Sequence, residues 1–136
     1  MTHPTPLITD VAEFKAIGAR FIPRIEAAAK TDFAMQCRFW DIRHDFFSAI
    51  KTAEARGMPA DDTVFGTLIA TDEKDLELKL YVRIATLLRD MPAEADIATI
   101  IHTLTPATRM MREANLLWFK AILNRTDPDW PITITL

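Results

Sequence analysis

Arg43 has the neighbours best suited to chemistry in this chain. If Phe39-Trp40-Asp41-Ile42-Arg43-His44-Asp45-Phe46-Phe47 is helical, residues three and four apart share a face, and those around Arg43 are Phe39, Trp40, Phe46 and Phe47. A guanidinium among four rings can stack on them, pair with a buried acid, or receive an acidic partner. Buried without a counter-charge it would be strongly destabilising, so the internal reading requires a carboxylate from another helix, and Glu26 and Glu113 are the candidates. The external reading makes Phe39, Trp40, Arg43 and Phe47 a binding site. Its occupant is an acidic small molecule, or another chain meeting an aromatic–arginine hot spot.

Other chemistry finds less support. Asp41 and His44, three apart, offer two metal ligands on one face, but a carboxylate-bridged metal bundle needs Glu-x-x-His on two helices and the chain has none. An Asp–His hydrogen bond is the simpler expectation. The one serine, Ser48, follows His44 by four residues on a helix and lacks a nucleophile elbow. The three glycines, Gly18, Gly57 and Gly66, are isolated, so no phosphate-cradling loop is written here. The single cysteine, Cys37, excludes an internal disulfide framework and reads as a small core residue. No catalytic residue, metal site or cofactor is expected, and the chain reads as a binding protein rather than an enzyme.

A second candidate surface comes from charge. Net charge is −3 over 136 residues. Residues 61–100 hold four basic and nine acidic side chains, or −5, between two segments of +1 each. Asp61, Asp62, Asp72, Glu73, Asp75 and Glu77 concentrate this acidity. Acids at a helix start complement the dipole, and the sharper reading is a surface that steers a basic partner. Nucleic acid is not expected, because such binders carry a basic stripe.

The elements that position these residues read mainly as helices. Asp10 with Glu13 resembles a capping box and opens a stripe of Phe14, Ile17, Gly18, Phe21, Ile25, Ala28 and Ala29, in which Pro23 predicts a kink or break near 20–22. Thr31 or Asp32 caps a second helix expected to run to Arg56, stopped by Gly57. That helix is apolar on two sides, so it should lie centrally, or half in an interface between copies.

Residues 63–84 carry two signals. Leu76, Leu78, Leu80, Val82 and Ile84 alternate with polar residues, which suits a strand in a hairpin with 63–71. Against that, 71–91 lacks Gly and Pro, and Leu76, Leu80, Ile84, Leu87, Leu88 and Met91 make a helical stripe, so helix is preferred on length. Pro92 starts a shorter helix with Ile97, Ile100, Ile101 and Leu104 inward. Thr105-Pro106 opens a last one carrying Met110, Met111, Ala114, Leu117, Trp118, Ala121 and Ile122, also largely buried. The tail 132–136 alternates like a short strand.

The expected architecture is therefore all-α: a compact bundle of five or six helices in one domain, 1–136, with α+β through a hairpin at about 63–84 as the alternative. Trp40 and Trp118 should be core residues. Hydrophobic content of 49% with 26% charged excludes disorder. No stretch approaches the roughly 20 apolar residues of a membrane span, and no signal-peptide pattern opens the chain, so a cytoplasmic protein is expected. The function expected of it is a protein-binding module of inhibitor, immunity or adaptor type. A ligand-sensing regulator centred on Arg43 is the alternative, and a small enzyme of unrecognised type the third class.

Overall fold

Helices dominate because their start signals are strong and local. In the computed structural model, which describes residues 7–59 and 67–135, helix accounts for 67% of the described residues. Six helices are present there: α1 (Val11–Ala29), α2 (Phe33–Arg38), α3 (Ile42–Arg56), α4 (Glu73–Leu88), α5 (Ile97–Thr103) and α6 (Thr105–Leu123). Four begin on an aspartate whose side chain accepts a backbone N–H in the first turn: Asp10 from Ala12, Asp32 from Met35, Asp72 from Asp75, and Asp96 from Thr99. Asp96, rather than Pro92, thus sets the start of α5. The all-α expectation holds, with one small sheet added.

That sheet pairs β1 (Leu68–Ala70) with β2 (Ile132–Ile134), antiparallel, with Ile69 opposite Thr133. Both of its strands lie where strand character was read, but the partner of β1 is the tail and not residues 76–84. Those residues form α4. Their alternation is satisfied on a helix because α4 is covered nearly all round: Leu76, Leu78, Leu80, Tyr81, Val82, Ile84, Ala85 and Leu88 are all buried.

The centre of the bundle is α4 against α3 and α1, with α6 and α5 also packed on α4. The expected second helix is thus central through its α3 part, whereas the last helix, α6, expected to be largely buried, packs less extensively. The core joins Phe14, Phe21 and Ile25 of α1, Phe46 and Ala49 of α3, most of α4, and Ile100, Leu104 and Met110. Phe46 lies between Phe14 and Tyr81, with ring centroids 4.8 and 5.9 Å away. Pro23 is inside α1, which continues through it without the expected break.

The expected helix from residue 32 to Arg56 is interrupted. Phe39 (φ −130°, ψ 44°) and Asp41 (φ −138°, ψ 48°) leave helical geometry and separate α2 from α3. An unbroken rod of that span would extend roughly 36 Å in one direction. The interruption lets α2 lie against α1 and α6 while α3 lies against α1 and α4. Gly57 ends α3 at φ +89°, a backbone region that side chains rarely enter.

Candidate functional site

The interruption changes what surrounds Arg43. Phe39 and Phe46 turn into the core, whereas Trp40 is 78% exposed and Phe47 is also exposed. Trp40 is therefore not the core residue its stripe suggested. Arg43 projects outward, and its Nε lies 3.2 Å from Glu26 Oε2, one of the two carboxylates expected to reach it. Its side chain is 64% exposed, so this is a surface ion pair rather than a buried one. The cation–ring contacts are elsewhere: Lys51 sits 5.0 Å from the Phe47 centroid and Arg20 5.7 Å from that of Phe21.

A deeply buried arginine does exist. Arg83, on α4, is 1% exposed; Nη1 donates to the Lys79 carbonyl, and the side chain makes further interactions. Sequence reasoning passed over it as a polar member of an alternating strand. The available signal was the apolar residues on every side of it on a helix, namely Leu80, Val82, Ile84 and Leu87.

The acidic stretch is divided between building and display. Asp61 and Asp62 lie outside the described residues. Asp72 caps α4 and also accepts from Arg56 Nη1, 3.0 Å from both oxygens. The Asp75 amide first and the Arg56 guanidinium second hold the Asp72 carboxyl below its ordinary range. Asp75 Oδ2 accepts from the Thr71 amide at 2.9 Å and Lys79 Nζ at 3.0 Å, and Lys79 reaches on to the Ile69 carbonyl, which ties β1 to α4. Glu73 and Glu77 instead face a cleft of about 250 Å³ with Asp45, Tyr81, Asn115 and Trp118. Glu77 Oε1 is sealed from solvent there and has no hydrogen-bond donor among the described residues. Tyr81 donates to Asp45 Oδ2 at 3.3 Å; burial first, then the Asp45 charge, push its phenol above the ordinary value. His44 Nδ1 is nearer Asp45 (3.4 Å) than Asp41 (4.0 Å), and all three side chains are open to solvent.

One groove, between α2 and α6, was not foreseen. Ala34, Cys37 and Arg38 of α2 face Thr108, Met111, Arg112, Asn115, Leu116 and Phe119 of α6 across a groove of about 520 Å³. Cys37 is exposed here, not in the core. The groove opens onto an apolar face of α6: Phe119 is 59% exposed, Leu123 66%, and Leu116 and Ile122 are also exposed. The last helix is thus half-covered, and its inner side holds Ala107, Met110, Ala114 and Ala121. Trp118 is partly buried and leans on Trp130, with centroids 5.9 Å apart. The signal for this face was the second apolar stripe, Leu116, Phe119 and Leu123, alongside the one assigned to the core.

No family model matches this chain, and no curated protein or solved structure is significantly similar to it.

Proposed function

We propose that this protein is a small protein-binding module, of inhibitor, immunity or adaptor kind, with α6 as its contact face. The observation that carries this reading is the run of large apolar side chains left in water on α6. Folded domains rarely leave such a continuous stripe uncovered, and where they do it usually marks an interface. The groove beside it gives the stripe a concave edge, as anchor side chains of a partner require. The free thiol Cys37 suits a reducing, cytoplasmic setting.

The test is a binding comparison in extract of the cells that make the protein. Immobilised wild-type protein should retain a partner that the Phe119→Glu, Leu123→Glu double variant does not. Both positions are exposed, so circular dichroism should be unchanged. Equal retention by the two proteins would reject α6 as the contact face.

A second reading has a basic partner meeting the acidic side, and it draws on Asp45, Glu73 and Glu77 around one cleft. Glu73→Lys tests it cleanly, because Asp72 and Asp75 also build the start of α4. Slower association at low ionic strength is expected, and an unchanged rate would reject this surface. A ligand sensor centred on Arg43 draws less support, since that guanidinium already holds Glu26.

A further inference from the structure

We infer that the groove between α2 and α6 receives an amphipathic helix whose flanking residues are acidic, contributed by a different protein; this rests on α6 being the contact face. The charge of the groove points to such a partner. Arg38 enters it from α2 and Arg112 from α6, and none of its lining residues is acidic. Neither arginine has an ion-pair partner among the described residues, in contrast to Arg43 and Arg56. Arg109 and Lys120 lie along the same outer side of α6, with Glu113 the one acid of that helix. An apolar groove edged by unpaired guanidiniums matches a segment that brings apolar anchors and carboxylates together.

A helix fits better than an extended segment. Leu116, Phe119 and Leu123 are spaced three and four apart and form a helical ridge, and Ala34 and Cys37 leave a shallow floor beside it. A second helix packs its own ridge into such a groove. Among the described residues, no strand residue lines the groove. A second copy of this chain matches poorly. Its exposed apolar side chains on α6 lie among Arg109, Arg112 and Lys120, and Phe47 lies under Lys51, so copies would set cation against cation.

Cys37, the single thiol, lines the groove and reports its occupancy. The test uses three synthetic helical peptides with one leucine stripe (i, i+3, i+4, i+7) flanked by glutamate, glutamine or lysine. Each is titrated against the rate at which a small disulfide reagent modifies Cys37. The glutamate peptide should protect the thiol at a concentration about three- to thirtyfold lower than the lysine peptide, as expected for two exposed ion pairs. The Arg38→Glu, Arg112→Glu double variant should reverse that preference, and Arg38→Gln, Arg112→Gln should abolish it. Equal protection by all three peptides, lost in the Phe119→Glu, Leu123→Glu variant, would overturn the acidic partner while keeping α6 as a contact face. Protection by none would overturn this inference, and a partner still retained by α6 from extract would then show that the contact-face reading survives it. Thiol protection that grows with protein concentration alone would overturn it in favour of a second copy.

Discussion

At the scale of single residues, exposure decides which charges and which small side chains matter. Arg43 and Glu26 form an ion pair open to water, so Arg43→Ala should change stability by at most about 1 kcal/mol, measured by urea unfolding. A loss several times larger would mean that the pair is desolvated in solution. Gly18 tests the opposite regime. A Cβ there would run into the Phe46 ring, which Phe14 and Tyr81 hold on two sides. Alanine is the better helix former by about 1 kcal/mol, but overpacking a fixed ring costs ~1–3 kcal/mol. Gly18→Ala should therefore lower the urea midpoint, and a higher midpoint would show that the ring moves aside. Trp40→Ala should be nearly silent for stability, since its ring is largely in water.

At the scale of elements, the start of α4 carries several functions at once. Asp72 satisfies the Asp75 amide and pairs at the surface with Arg56 of α3, bridging two central helices. Asp72→Ala should cost about 0.5–2 kcal/mol near neutral pH, as loss of an N-cap does. Its carboxyl titrates lower in the folded protein than its ordinary value of 3.8, so the charged form is the one the fold favours. That contribution is complete above pH 3.8 and is lost as pH falls through the lower folded value. Wild type and Asp72→Ala should therefore differ most at neutral pH and converge on acidification, when urea midpoints are compared from pH 7 to 3. A gap that widens in acid would contradict this. For α6 the useful contrast is between its two sides: Met110 and Ala114 are buried, whereas Phe119 and Leu123 are not.

At the scale of the whole molecule, the bundle covers α4 more completely than α6. The double change Phe119→Glu, Leu123→Glu should leave the melting temperature nearly unchanged and raise solubility near the pI of about 5.6. A marked drop in melting temperature would show that these side chains pack on the fold in solution. Much of this architecture was legible beforehand. Aspartate caps at Asp10 and Asp32, acids in the first turn of α4, the stop at Gly57 and three-and-four spacing act within about one turn of chain, so the sequence by itself determined most of the helices. The inward residues of α1 follow from the same local rule. Other features depend on what lies opposite. No glycine or proline marks the interruption at 39–41; it follows from packing against α6 on one side and α4 on the other. The pairing of Leu68–Ala70 with Ile132–Ile134 joins segments more than sixty residues apart, and neither encodes its partner. A helix with two apolar stripes does not specify which one is buried. Neighbouring helices cover the Met110 side of α6, bury Arg83 on every side, and leave Trp40 and Phe119 in water. Local hydrogen bonding fixes where a helix begins, but only the tertiary structure decides which of its faces loses contact with water.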